Sequence, residues 1–323
     1  MKKLFFLIFY SIFLTLNSKS QTNTNPLNNV DVSNMTIPSS PGFVLLDKAP
    51  SSIDKPQNPK AFGISLLNLW QGGAVDFTPY WIIPNHPKYT FEKDLNKIFP
   101  ILQTFDISVA TFKTDTSSTL STGFKTQILR FYHKKTDMLG IKNLIVQELS
   151  QSNPKNIDTT KIKKLLDSLT KVQGSHRVFT VELAGAYLGE SMSNSFSNLK
   201  ATNLGLWLNL DYSLCKSLDV LGVARYRRII GSSSLKNKGD SSYLDLGLSV
   251  NLTVKKFSFS TEFIYRTDYV YNTSYNRFAF VAEYSLTNNI NLVTSLGKNF
   301  QTVNNIIALF GVKFGIGNQN VSL

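Results

Sequence analysis

The stretch Phe257-Ser-Phe-Ser-Thr-Glu-Phe-Ile-Tyr-Arg266 decides the fold. Phe257, Phe259, Thr261, Phe263 and Tyr265 share one parity, and Ser258, Ser260, Glu262, Ile264 and Arg266 share the other. Successive side chains of an extended chain point to opposite faces, so this segment reads as a strand with one apolar and one mainly polar side. The alternation recurs on both sides of it. Leu244, Leu246, Leu248, Val250 and Leu252 precede it, and Phe278, Phe280, Ala282, Tyr284 and Leu286 follow, as do Ile290, Leu292, Thr294 and Leu296. Further out lie Leu204, Leu206, Leu208, Leu210 and Tyr212, and the last run, Ile306, Ala308, Phe310, Val312, Phe314 and Ile316.

The connections alternate as well. Cys215-Lys216-Ser217, Val254-Lys255-Lys256 and Thr287-Asn288-Asn289 are tight, whereas Gly231 to Asp240, Asp268 to Asn276 and Asn299 to Asn304 are longer and polar. Short turns on one side and longer loops on the other are the pattern of outer-membrane barrels, with the short turns in the periplasm. Further strand candidates are Ala61 to Leu69, Ala74 to Ile83, Phe99 to Phe112, Leu120 to Tyr132, Arg177 to Leu188 and Asp219 to Ile230. The fold class expected is therefore all-β, a transmembrane antiparallel β-barrel of about 12 strands, an even number as single-chain bacterial barrels have. Its lumen would be narrow.

Composition neither supports nor opposes this. The chain is 42% hydrophobic with mean hydropathy −0.07, values that suit a soluble protein equally well. After the N-terminal run no stretch approaches 18 uninterrupted apolar residues, so no transmembrane helix is expected. Alternating strands escape hydropathy scans.

The N-terminus reads as a secretory signal over residues 1–20. Lys2-Lys3 precedes the apolar run Leu4 to Leu16, and Ser18 and Ser20 precede a cut near Gln21. That run is about thirteen residues, short of the roughly 20 a spanning helix needs. The destination implied is the outer membrane after Sec-type export. Cys215 lies far from the cleavage region and is the only cysteine, which rules out an internal disulfide.

Two segments fall outside the strand scheme. Residues 21–60 are polar and proline-bearing, a linker, lumen plug or periplasmic arm. Between strands of the barrel, which runs over 61–317, residues 134–175 carry Ile141, Leu144, Ile145 and Leu149, then Ile162, Leu165, Leu166 and Leu169, at helical spacing. Asp158-Thr159-Thr160 supplies start signals for the second helix and Gly174 a stop. Counting turns puts this insert on the periplasmic side with both termini. Residues 318–323 form a C-terminal tail.

The inward faces carry Lys125, Arg225, Arg227, Arg266, Arg277 and Lys313 against Asp106, Glu182, Asp211, Asp245 and Glu262. Two readings stand: a polar, slightly cationic channel favouring anions, or a lumen closed by satisfied salt bridges. The formal charge is +13, but the basic residues are spread along an exported chain, which argues against nucleic acid. No enzyme is expected. His86, His133 and His176 are scattered, and a lone Ser175-His176 pair is no triad. Three dispersed histidines and one cysteine show no metal-ligand spacing, and no cofactor is expected.

The chain resembles Bacteroidetes-type outer-membrane barrel proteins in the leader ending Ser20-Gln21, in Ile37-Pro-Ser-Ser-Pro-Gly-Phe-Val-Leu-Leu-Asp47 with Ala49-Pro50-Ser51, and in the strands that follow. The resemblance implies the fold and the location and carries no substrate with it. It departs at the C-terminus, Asn320-Val-Ser-Leu323, where many such barrels end on an aromatic residue that looks like part of the assembly signal. Outer-membrane lipids and the barrel-assembly machinery are the expected partners, with a periplasmic or outer-membrane protein as a further one. Three function classes follow: a structural, assembly or partner-binding role in the cell envelope, favoured by the N-terminal arm and the helical insert; a narrow diffusion channel for small polar or anionic solutes; and a surface-binding protein, which the short loops oppose.

Overall fold

The computed structural model describes residues 29–31, 39–56, 58, 60–67, 71–82, 89–133, 135–150, 158–175, 177–193, 195–215, 217–230, 240–287, 289–300, 306–317 and 320–322. The expected leader and its cut near Gln21 lie outside them, as do His86 and His176.

Twelve strands close into one antiparallel barrel. They are β2 (Phe62–Leu67), β3 (Gly72–Phe77), β4 (Asp106–Lys113), β5 (Ser118–Tyr132), β6 (Arg177–Ser191), β7 (Lys200–Cys215), β8 (Leu218–Ile229), β9 (Ser241–Val254), β10 (Phe257–Asp268), β11 (Thr273–Thr287), β12 (Ile290–Lys298) and β13 (Ile306–Ile316). Each pairs with its sequence neighbour, and β13 closes on β2 through Ile316↔Phe62 to Gly311↔Leu67. Closure pairs every strand on both sides, so the ladder's N–H and C=O groups are satisfied within the wall wherever neighbouring strands overlap. The quoted segment is β10, with Phe259 opposite Leu252 and Ala282 on the outer face.

Two short strands lie outside the barrel. β1 (Asn29–Asp31) pairs with β14 (Asn320–Ser322), so the C-terminal tail holds the N-terminal arm, a contact the sequence reading missed. The helices are α1 (Pro41–Leu45), α2 (Pro79–Ile82), α3 (Phe91–Asn96), α4 (Ile101–Thr104), α5 (Lys135–Leu149) and α6 (Thr159–Ser175). α2 to α6 sit where β3 runs to β4 and β5 to β6, at the end where β2 begins and β13 finishes. This is the helical end, and the opposite one is the loop end.

Two strand expectations need correction. The alternation from Ala74 to Ile83 ends as strand at Phe77, because Pro79 opens α2. That from Phe99 to Phe112 starts as strand only at Asp106, since Pro100 offers no N–H and the next residues coil into α4. The insert formed as expected: Asp158 Oδ1 accepts from Lys161 N at 2.9 Å and caps α6. Its apolar stripes are largely covered, with Leu144 the exposed exception. Met138, Ile145, Ile162 and Leu169 bury against one another and against Phe91, Leu95 and Tyr132. Lys161 Nζ bonds Glu148 at 2.7 Å across the helix pair. That hydrogen bond, with one from Asp158 N, holds the Glu148 carboxyl below its ordinary pKa.

Candidate functional site: a self-plugged lumen

The lumen is filled by residues 39–56, 58 and 60. At the helical end Ser39 N donates to Asp54 Oδ2 at 2.8 Å, tying the two limbs of this segment into a hairpin. Pro41 presets the first turn of α1. The chain then reverses at Asp47, whose φ of 55° is the left-handed conformation that Asp tolerates better than most residues. Lys48 N and Ala49 N both bond Phe43 O at 3.0 Å and close the turn. The returning limb leads into β2.

The fit against the wall is close. A Cβ on Gly42 would come within 2.8 Å of Ser121 Cβ and 2.9 Å of Ala110 Cβ, so only glycine lets α1 approach there. On the wall, Gly205 lies opposite Leu45 in the same manner. Phe43, Leu45 and Ile53 are buried with Ala110, Ala186, Trp207 and Ile264, making an apolar core inside the barrel.

Charge organises the rest in two tiers. Toward the loop end, pairing sets Arg225, Asp245 and Arg266 side by side on β8, β9 and β10. Asp245 accepts from Arg225 Nε at 2.8 Å and Arg266 Nε at 2.6 Å. Asp47, at the tip of the hairpin, completes the group, with Arg227 Nη1 at 2.7 Å, Arg266 Nη1 at 3.1 Å and Arg225 Nη2 at 3.8 Å. The Arg266 guanidinium also lies 3.5 Å from the Phe300 ring centroid. Below this, Glu262 accepts from Ser51 Oγ and, at 3.1 Å, from Ser52 N. Arg277 Nη2 reaches the Ala49 and Pro50 carbonyls at 3.5 Å.

Toward the helical end the lumen is rich in carboxylates. Lys125 bridges to Asp106 at 3.2 Å, with Asp76 and Glu182 nearby. Lys313 lies 3.8 Å from Glu283. Here the hairpin supplies cations and amides: Lys55 Nζ meets Asp219 at 2.7 Å, and Asn58 accepts from Arg130, which also pairs with Asp94 of α3 at 2.9 Å. A cavity between Asp54, Lys125, Glu182 and Asn209 has room for about one water molecule.

All the candidate lumen residues named from the sequence point inward and are buried. Asp211 lies opposite Leu221 and Thr180 on neighbouring strands. The expected mild cationic excess is instead a separation, arginines toward the loop end and carboxylates toward the helical end. Sequence reasoning missed Asp47, Asp54, Lys55, Asp76 and Glu283. Asp76 and Glu283 sit at inward parity and were legible. The arm residues were not, because nothing in their order says that they enter the barrel. Among the described residues no cluster of His, Cys, Asp and Glu is arranged to hold a metal.

The outer wall is the reverse of the lumen. Leu206, Leu208, Leu248, Val250 and Phe280 are exposed, Leu248 by 64%, and Tyr187, Tyr226 and Tyr265 ring the loop end while Tyr212 and Phe257 lie toward the other. An apolar band between aromatic girdles is what a hydrocarbon layer selects. The chain is a transmembrane β-barrel.

No protein-family model matches this barrel and no curated protein does. Among solved structures it is similar to the KdgM porin, at 12% identity over 79% of this chain and 97% of that one, TM-score 0.39. It is also similar to the NanC porin, at 10% identity over 79% and 98%, TM-score 0.38. The Ralstonia pickettii toluene transporter TbuX matches at 9% identity over 88% and 97%, TM-score 0.32. At these values the likeness is one of architecture.

Proposed function

We propose that the protein is an outer-membrane channel for small polar solutes, held shut in this state by its own N-terminal hairpin. The outer membrane is the location that suits a closed barrel with an apolar belt, and three two-residue turns at the helical end orient that end to the periplasm. One observation carries the channel reading: the tip of the hairpin meets the wall through a carboxylate, Asp47, lodged among three guanidiniums. Such a contact can be exchanged for a small anion in solution, whereas a wall strand cannot be exchanged. With Asp47 withdrawn, Arg225, Arg227, Arg266 and Arg277 would face Asp245 and Glu262, an anion-favouring outer mouth above a carboxylate-rich inner section.

A second reading is favoured by the apolar contacts of Phe43, Leu45 and Ile53: a permanently sealed barrel with a structural or assembly role in the envelope. Planar-bilayer recording separates the two. The wild-type barrel is expected to show rare openings, and a variant lacking residues 39–55 that retains its heat-dependent gel shift is expected to show steady conductance steps. A folded deletion variant that does not conduct would establish the sealed barrel, and steady conductance in the wild type would overturn the plug.

A further inference from the structure

β4 is short at the helical end, and what replaces it there is not a strand. The ladder between β4 and β5 ends at Asp106↔Lys125, yet β5 continues to Tyr132 with β6 on its other side. Residues 98–104 run along the edge thus left. Thr126 Oγ1 donates to Ile101 O at 2.8 Å, Gln127 N to Thr104 Oγ1 at 2.9 Å, and Arg130 N to Ile98 O at 2.8 Å. The β5 bulge between Gln127 and Leu129 lies within this stretch. Trp81 Nε1 of α2 bonds Gln103 O at 2.7 Å and pins the segment from the other side. Its polar side chains Gln103 and Thr104 are buried, while Ile98, Phe99, Ile101 and Leu102 face out, Leu102 by 70% and Phe99 by 61%.

The level of these side chains follows from register. Lys125 lies opposite Ala184 and that opposite Trp207; Arg130 lies opposite Thr180 and that opposite Asp211. Ile98 to Thr104 thus flank the helical-end part of the wall that register connects to residues 207–211 of β7, whose outward neighbours Leu208 and Leu210 belong to the exposed apolar band. The band is continuous across β5 through Phe124, stacked on Phe105, and through exposed Phe131.

We propose that residues 98–104, which end in the one-turn helix α4, form a non-strand stave of the membrane wall, with Phe99, Ile101 and Leu102 buried in phospholipid acyl chains of the leaflet at the helical end. The site's occupant is lipid because the patch continues the lipid-facing surface of β5, and because Ile98 O and Ile101 O are bonded to β5 instead of being turned to the hydrocarbon, as irregular chain at membrane depth requires of its polar groups. A one-turn helix is tolerated there since the strand edge behind it, not the lipid, pairs with it. This assignment depends on the transmembrane barrel and not on whether the channel opens.

The test is depth-resolved quenching. Leu102→Cys in a Cys215→Ser background is labelled with a bimane maleimide and folded into phosphatidylcholine vesicles, with and without lipid brominated on its acyl chains. Leu248→Cys serves as the lipid-facing reference and Ser168→Cys on α6 as the aqueous one. Quenching at position 102 by brominated lipid is expected within about twofold of that at 248, with little effect of iodide, as burial in hydrocarbon demands. Iodide quenching like that at 168, or insensitivity to both quenchers, would overturn the proposal, the latter because a protein would then cover the patch. If Leu102→Cys does not show the heat-dependent shift of a folded barrel, Phe99→Cys carries the same reading.

Discussion

Replacing Asp47 by Ala removes the carboxylate that locks the hairpin tip. Arg266 and Arg225 keep Asp245, at 2.6 and 2.8 Å, but Arg227 loses the one carboxylate it touches among the described residues, at 2.7 Å, while only 4% exposed. Breaking a buried ion pair from one side costs about 3–5 kcal/mol, chiefly through the charge left behind. Asp47 retains 17% side-chain exposure and two of its three partners are still compensated, so the lower value, about 3 kcal/mol, applies. At about 1.4 kcal/mol per decade the population with the hairpin withdrawn rises on the order of 100-fold. Ser52 reports it: the residue is 2% exposed beneath the tip, and Ser52→Cys is nearly isosteric. In a Cys215→Ser background its maleimide labelling rate, proportional to the open population when reclosing is fast, is expected to rise by about that factor. Adding Arg227→Ala is expected to recover much of the loss, because the orphaned charge goes with it. A rate within about threefold of the parent, or fully additive effects of the two substitutions, would refute this account of the lock.

Other outcomes follow from the same geometry. Gly42→Val places atoms where Ser121 and Ala110 already sit, so it is expected to cost about 1–3 kcal/mol of hairpin seating and to raise Ser52→Cys labelling as Asp47→Ala does. Phe259→Arg, Leu248→Arg or Phe280→Arg puts a charge into hydrocarbon and is expected to lower unfolding free energy in lipid by about 2–4 kcal/mol near midplane. Ser249→Arg is expected to be comparably harmful for a different reason: Ser249 is 2% exposed in a filled lumen, which leaves no room for the longer side chain. The tell is that removing residues 39–55 relieves Ser249→Arg and leaves Leu248→Arg unchanged. Unboiled protein is expected to migrate differently from boiled protein in SDS gels, and identical migration would contradict a closed barrel. Ser168→Cys on exposed α6, again with Cys215→Ser, is expected to resist an impermeant maleimide on intact cells and to react once the outer membrane is opened, which checks that the helical end is periplasmic.

The wall was readable residue by residue because a strand's period of two is local. Phe259 and Glu262 declare opposite faces without knowledge of any partner strand, and the alternation of turns then counts strands to the correct total. The helix pair was equally readable, since Ile162, Leu165, Leu166 and Leu169 state their stripe within a few turns. Errors arose where a local rule was interrupted by a single residue: Pro79 and Pro100 stopped ladders that the apolar alternation carried on past.

What lies inside the barrel was a different kind of fact. Inward parity identified Arg225, Asp245 and Arg266, but their meeting depends on the register of β8, β9 and β10, which a one-residue slip would undo. Asp47 belongs to a segment with no period at all. Its place among three arginines is set by contacts 180 and 219 residues distant in sequence. The sequence alone determined that this chain makes a two-faced closed sheet, because that information is stored in neighbouring residues. Whether the sheet encloses water or its own N-terminus was decided only in three dimensions, where glycines at positions 42 and 205 make room for the hairpin and scattered charges become one another's nearest partners.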